Sequence, residues 1–293
     1  MSTVTHSRAP APPAARRHRP GWGLLWPLAM ILVFIAIPFV LLLRASVSQL
    51  DPNAIEGSGF TLHAYGQLLQ PVVVDAIGFS VMLAFIVASI SLLVALPTAW
   101  SIAGMSRRGQ VIWLIALLTT FALSEVLITF AWQILLSKKA GISNLAVLAG
   151  LLDKPVSLLP SFGGMVACIT YMVIPFNILT LYPAMSRFDH SYLEAARTLG
   201  ARPLRAFCSV LLPLIGKPLG AAYIMSLVFT LGSYVAPLVL GGPGNWTIGV
   251  VISETAMSGH NMPMAAAISV LLLAVTLLLI GGVVKFSAKG EAV

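Results

Sequence analysis

The chain has 293 residues, of which 58% are hydrophobic and 9% are charged, and its formal net charge is +8. A soluble globular protein carries roughly 25% charged residues. The composition therefore excludes an ordinary soluble enzyme and predicts an integral membrane protein.

Apolar stretches close to the 20 residues that cross the hydrocarbon core of a bilayer occur six times. Proline and glycine inside them do not argue against helices, because in lipid the freed backbone groups are satisfied by neighbouring helices. We predict an all-α transmembrane domain over 21–287, with a disordered basic tail at 1–20 and a short tail at 288–293. The six predicted crossings are 21–43, 76–102, 111–136, 162–185, 219–240 and 264–286.

Basic residues predict the orientation of the chain in the membrane. If the N-terminal tail is cytoplasmic, thirteen of the seventeen Lys and Arg residues lie on the cytoplasmic side. This bias predicts that both termini and the segment 187–214 are cytoplasmic. No basic patch is interleaved with aromatic residues, so we expect no nucleic-acid partner. The four outer basic residues are Arg44, Lys138, Lys139 and Lys154.

Three outer segments connect the crossings. Leu62, Tyr65, Leu68 and Leu69 recur at helical spacing, which predicts a short helix on the outer surface. The apolar run 145–152 is too short to span and is expected to pack as an outer cap. The glycine-rich segment 241–263 is interpreted either as a mobile gate or as a tight helix exit.

The loop between the fourth and fifth predicted crossings has the pattern of a helical hairpin. Ser191 and Glu194 have the spacing of a capping box, in which each side chain satisfies a backbone donor at the helix start. Gly200 suits a left-handed C-terminal cap, so the first helix is predicted over 192–199. Pro203 is tolerated in the first turn of a second helix.

The hairpin as a whole resembles the cytoplasmic signature of binding-protein-dependent ABC importer permeases. The match is Glu-Ala-Ala, three residues, Gly, nine residues, a β-branched residue, one residue and Leu-Pro. Val210 stands where isoleucine is usual. The matching residues, which the resemblance implies couple the chain to an ATPase, are Glu194, Ala195, Ala196, Gly200, Leu212 and Pro213.

Further segments look like the spermidine/putrescine-type permease subfamily. They are Phe60-Thr61-Leu62, Phe130-Ala131-Trp132, Ile174-Pro175-Phe176, Leu231 to Pro237, and Leu240 to Pro243. The resemblance implies a type I ABC importer permease fold in the inner membrane. It also implies three kinds of partner: two ATP-binding subunits, a second permease subunit that is expected to be a different chain, and an extracytoplasmic solute-binding protein.

The chain has no Gly-x-x-x-x-Gly-Lys-Ser/Thr phosphate loop, so ATP and magnesium are expected to bind the partner ATPase and not this chain. We predict no catalytic residues and no cofactor in this chain. The scattered histidines and the two cysteines lack metal-ligand spacing, so no metal site is expected.

Glu125 lies near the middle of the third predicted crossing, where an ionisable residue costs on the order of 3 kcal/mol and is a candidate functional group. Thr129 and Trp132 share its helix face. A carboxylate beside an aromatic ring suits an ammonium ion, which favours a polyamine-like cation as substrate. Two alternatives remain: Glu125 is protonated or bonds a partner helix, or it is the titrating group of a proton-coupled secondary transporter.

Four more polar residues are candidates for the substrate pathway, although each could instead bond a neighbouring helix. Ile128 stands where the subfamily often has arginine, and Ser233 where an acidic residue is common. The four candidates are Tyr171, Asn177, Ser233 and Tyr234.

Overall fold

A computed structural model describes residues 25–49, 59–139, 141–150 and 152–289. The predicted tail 1–20 and the last four residues of the predicted C-terminal tail lie outside this part of the chain. The structure divides into two units, 1–44 and 45–293.

Most of the described residues lie in helices joined by short connections. In chain order the helices are α1 (Leu25–Ser46), α2 (His63–Gly66), α3 (Pro71–Ala103), α4 (Arg107–Phe121), α5 (Glu125–Leu136), α6 (Ile142–Leu148), α7 (Phe162–Ser186), α8 (Ser191–Thr198), α9 (Pro203–Ala206), α10 (Leu212–Leu214), α11 (Gly216–Gly232), α12 (Ile248–Met257) and α13 (Met262–Lys289). Two π-helical turns lie at Phe207–Leu211 and Pro237–Gly241, and a 3-10 turn lies at Pro243–Asn245.

Four of these helices, α1, α3, α7 and α13, are long and apolar enough to cross a membrane. They confirm the first, second, fourth and sixth predicted crossings. The bounds differ from prediction by a few residues. The largest extension at a helix start is that of α3, which begins at Pro71, because proline suits the first turn of a helix.

The third and fifth predicted crossings are not straight helices. The third consists of α4 and α5, whose axes differ by 89°. In the fifth, α11 ends at Gly232 and the chain becomes extended at Ser233 before the π-helical turn at Pro237–Gly241. Hydropathy did not reveal either break, because the residues on both sides are apolar.

Helices α3, α7 and α11 form the centre of the second unit. Small buried residues along α3 allow the neighbouring backbones to approach closely. Two apolar clusters stack along these helices. Leu83 and Val87 belong to the cluster nearer the start of α7, and Ala95, Ala99 and Ile102 to the cluster nearer its end. We call the end of the second unit that carries residues 187–214 the hairpin end, and the opposite end of this unit the far end.

The short segments at the far end depart from prediction. The predicted surface helix at 62–69 is a single turn, α2, and Leu62 and Leu69 are 59% and 84% exposed. Helix α6 forms within the predicted cap, but Leu145 and Leu148 are 64% and 84% exposed. The expectation that the apolar side of this segment packs down as a cap is therefore wrong for these two leucines.

The segment after the fifth crossing leaves the bundle tightly at Gly242. This residue has a φ of +71°, and a Cβ atom added to it would lie 2.9 Å from Cβ of Pro160. Asn245 Nδ2 donates to the carbonyl of Gly241 over 3.0 Å. The geometry at Gly242 favours the tight exit over the mobile gate, and the chain then continues into α12.

Candidate functional site

The first helix of the hairpin, α8, ends in a Schellman motif. Gly200 has a φ of +85°. The amide of Ala201 donates to the carbonyl of Ala196 over 3.0 Å, and the amide of Gly200 donates to that of Arg197 over 2.9 Å. These two bonds satisfy carbonyls that the helix itself cannot use. The predicted left-handed cap at Gly200 is confirmed.

The predicted capping box at the other end of α8 is wrong. Ser191 is the first residue of the helix, His190 stands at the N-cap position, and no side chain caps the helix from there. Asp189 Oδ1 instead accepts from the amide of Ser191 over 2.9 Å. Hydrogen bonds from the backbone and side chain of Ser191 lower the pKa of Asp189. Aspartate competes well for such local bonds, because its acceptor lies close to its own backbone.

The second arm of the hairpin begins with Pro203 in the first turn of α9, as predicted. It continues through the π-helical turn 207–211 into α10 and ends at Ile215, where the axis turns by 79° into α11. Pro213 therefore lies in the last turn of the hairpin and not in the fifth crossing.

The two arms bury one face and expose the other. Leu193, Ala206 and Leu211 are 7%, 1% and 0% exposed. On the outer face, Leu199 and Leu204 are 89% and 81% exposed, so two large apolar side chains point outward from a charged loop. Of the residues matched to the coupling signature, Glu194, Ala195, Gly200 and Pro213 are exposed, and Ala196 and Leu212 are half-buried.

A second polar region joins the two helix breaks. Glu125 lies in the middle part of the third crossing, as predicted, but this crossing is broken there, and Glu125 is the first residue of α5, directly after the bend. Ser233 lies in the break after α11, and its Oγ donates to Oε1 of Glu125 over 3.1 Å. The carbonyl of Ser233 accepts from Oγ1 of Thr247 over 3.2 Å. Ser233 is buried and Glu125 is half-buried.

Three other predicted residues lie along α5 and the facing part of α7. Thr129 lies on α5 and is fully buried. The rings of Trp132 and Tyr171 lie 6.2 Å apart at 59°, and Tyr171 is 41% exposed. Carboxylate, hydroxyl and aromatic groups therefore follow one another along the α5–α7 contact.

Asn177 occupies a different place. It is fully buried, its Nδ2 donates to Oγ of Ser91 over 3.0 Å, and its Oδ1 accepts from Oγ of Ser226 over 2.9 Å. These bonds tie α7 to α3 and α11, so the geometry favours the helix-bonding interpretation of Asn177. The sequence did not identify Ser91 and Ser226, because only the fold brings them together. Tyr234 is half-buried in the break after Ser233.

The chain matches a known protein family over most of its length. The family model described as "Binding-protein-dependent transport system inner membrane component" matches residues 71–289. The chain is 25% identical over 242 residues to the spermidine/putrescine transport system permease protein PotB of Escherichia coli strain K12, covering 83% of this chain and 88% of that protein. It is 30% identical over 267 residues to the inner membrane ABC transporter permease protein YdcU of the same strain, covering 85% of each.

Among solved structures, a chain of a bacterial alginate ABC transporter, crystallised with an alginate pentasaccharide-bound periplasmic protein, matches with a TM-score of 0.71. The sequence identity is 16%, and the match covers 92% of this chain and 93% of that one. This likeness shows the fold, which is that of a type I ABC importer permease.

Proposed function

Because this chain belongs to the family of binding-protein-dependent transport system inner membrane components, it is a permease subunit of an ABC importer, and we propose that its cargo is a polyamine-like cation. It is a multi-pass inner-membrane protein, and ATP hydrolysis belongs to a separate subunit. We further propose that hairpin 187–214 receives that ATPase and that both termini are cytoplasmic.

The outer face of the hairpin is the observation that supports ATPase docking. Leu199 and Leu204 are almost fully exposed and Glu194 of the same hairpin is exposed too, while Leu193, Ala206 and Leu211 are buried. Exposed apolar residues with a polar rim are typical of a protein-binding surface. Caps at both ends of α8 give this surface a fixed shape, so a force applied to it can reach α7 and α11.

The remaining partners follow from the same family. We propose that two ATP-binding subunits, a second permease subunit and an extracytoplasmic binding protein complete the transporter. Membership of this family argues against the alternative of a proton-coupled secondary transporter, because transport by its members depends on a binding protein and an ATPase.

The charge distribution supports a cation as cargo. In the described crossing helices, basic residues are confined to the first turn or the last two turns, whereas Glu125 lies at the bend within the third crossing. A carboxylate at this position attracts an ammonium group and repels an anion. PotB, which covers most of this chain, is named for spermidine and putrescine. The Trp132–Tyr171 pair adds ring faces suited to an ammonium group.

The docking proposal is tested with Glu194→Lys and Gly200→Trp in the complete transporter. We expect both variants to reach the membrane but to lose ATPase co-purification and uptake. The matched control is Asp153→Lys, which makes the same kind of charge reversal at an exposed residue of the far end. Normal uptake and unchanged ATPase co-purification in both hairpin variants would refute the docking site.

A further inference from the structure

A cluster of aromatic rings joins the hairpin to α3. The ring of Trp100 lies 5.9 Å from that of Phe188, 5.2 Å from that of His190 and 6.2 Å from that of Phe207. The contacts with Phe188 and Phe207 are edge-to-face, at 74° and 85°. We call Trp100, Phe188, His190 and Phe207 the aromatic cluster.

The aromatic cluster brings residues from both arms of the hairpin into contact with α3. Phe188 and His190 precede α8, whereas Phe207 opens the π-helical turn of the second arm. Trp100 lies in the last turn of α3, between them. Beneath these rings, Ala99 and Leu211 are both fully buried in one apolar cluster. A displacement of either arm therefore acts on the same side chain.

Helix α3 connects the aromatic cluster to the far end of the unit. Its 33 residues span about 50 Å at a rise of 1.5 Å per residue. Oγ of Ser80 accepts from the amide of Ile248 over 2.8 Å, which fixes the start of α12 to α3. Val73 and Ala76 of α3 pack with Ile248 in a single apolar cluster. One helix thus contacts the hairpin at one end and α12 at the other.

We propose that Trp100 is the positioning residue through which movement of the hairpin displaces α3 and, with it, α12 at the far end. This inference rests on the proposed docking of the ATPase on the hairpin. Two edge-to-face contacts, one from each arm of the hairpin, hold this ring in a preferred geometry. A smaller side chain would leave a gap across which the arms could move without moving α3.

The test compares Trp100→Ala with Trp100→Phe in the complete transporter reconstituted in vesicles. We measure ATPase co-purification, ATP hydrolysis and putrescine uptake per ATP hydrolysed. For Trp100→Ala we expect a retained ATPase and uptake per ATP lowered by roughly fivefold or more, the lower end of typical coupling effects. Trp100→Phe restores a ring and should recover most of the uptake. The control is Trp113→Ala, which removes a ring of the same size that is 48% exposed on α4.

Phe207→Ala removes the contact from the hairpin side and should reproduce the defect of Trp100→Ala. Normal uptake per ATP in both alanine variants would overturn the proposal. Loss of ATPase binding in both would also overturn it, because the rings would then hold the shape of the docking surface and not transmit its movement. Failure of the docking site itself appears separately, as normal uptake and unchanged ATPase co-purification in both Glu194→Lys and Gly200→Trp.

Discussion

Ser233 donates a hydrogen bond to Glu125 over 3.1 Å, and each of these residues lies at a break in its helix. The N-terminal end of α5 stabilises a carboxylate, and the free carbonyls at the end of α11 attract cations. Discontinuous helices form ion and substrate sites in other transporters for the same electrostatic reasons. We therefore propose the Glu125–Ser233 pair as the place where the described part of the chain would receive an ammonium group.

Glu125→Gln should weaken cation transport. The substitution keeps the size of the side chain but removes its charge, so an ammonium group bound there would lose its ion pair. We expect the putrescine concentration that gives half-maximal uptake to rise roughly 10- to 30-fold, equivalent to about 1.4 to 2 kcal/mol. Uptake of labelled putrescine by the complete transporter measures this.

Asp75→Asn is the control for Glu125→Gln, because it neutralises a carboxylate that is exposed near the start of α3. It should leave uptake unchanged. Ser233→Ala should have a smaller effect than Glu125→Gln, since it removes one hydrogen bond and leaves the charge. Unaltered uptake in Glu125→Gln would mean that this carboxylate only joins α5 to the break after α11.

Asn177→Leu should lower stability without changing cargo affinity. Two interhelical hydrogen bonds are lost, each worth about 0.6 to 1.7 kcal/mol in membrane proteins, so we expect a loss of about 1 to 3 kcal/mol. The partners stay satisfied, because Ser91 also donates to the carbonyl of Ala88 and Ser226 to that of Ala222. Thermal unfolding in detergent measures the change.

Asn144→Leu is a control for this substitution, because the side-chain amide of Asn144 donates to a carbonyl only six positions away in the same loop, that of Lys138, and so does not join two crossings. Its effect on stability should be smaller. If Asn177→Leu changed the half-saturating putrescine concentration while the unfolding temperature stayed constant, Asn177 would belong to the substrate pathway.

The sequence predicted the crossings well, because a chain in lipid must satisfy its backbone in long apolar helices. It could not predict the bend at 122–124 or the helix interruption at 233–236, because a hydropathy average does not report the direction of the chain and the segments on both sides of each break are apolar. The Glu125–Ser233 contact lies at those two breaks, and it joins residues 108 positions apart. Local patterns therefore named both residues as candidates but could not pair them.

The hairpin, too, has one feature that the local sequence predicts and others that only the folded structure reveals. Gly200 was predictable because a positive φ favours glycine strongly over other residues. The start of α8 was not, because Asp189 and Ser191 are both good capping residues and only the observed backbone decides between them. No local sequence pattern pointed to a role for Trp100, because its partners lie in the two arms of the hairpin, 88 or more positions later in the chain.

Gly242→Ala should destabilise the far end. The φ of +71° with a ψ of 174° lies in a backbone region that essentially only glycine adopts, at a cost of about 1–3 kcal/mol to another residue, and the new methyl group would lie 2.9 Å from Cβ of Pro160. Gly244→Ala is the matched control, because nothing lies within 4 Å of an added Cβ there. The unfolding temperature in detergent should fall for Gly242→Ala and stay near the wild-type value for Gly244→Ala. Equal values for both would contradict a tight exit at Gly242.

Asp189→Ala should destabilise the first turn of α8, whereas Ser191→Ala should have little effect on the stability of that turn. The reason is that Asp189 Oδ1, and not the Ser191 hydroxyl, accepts from the first helical amide. Hydrogen exchange of the amides of Tyr192 to Glu194 should be faster in Asp189→Ala at neutral pH, with weaker ATPase co-purification as a consequence. Faster exchange in Ser191→Ala than in Asp189→Ala would instead support a capping box made by Ser191 and Glu194.

The hydrogen bond by which Asp189 caps α8 should also depend on pH. Its folded-state pKa is lowered by the hydrogen bonds from Ser191, so the cap is complete above the ordinary aspartate pKa of about 3.9. It is lost as the pH falls through the lower folded-state pKa, because protonation removes the charged acceptor. Hydrogen exchange of α8, corrected for the intrinsic pH dependence of exchange, should therefore accelerate below about pH 4. Asp189→Asn keeps an acceptor but has no proton to gain, so an acid-dependent acceleration that persisted in Asp189→Asn would assign the effect to another group.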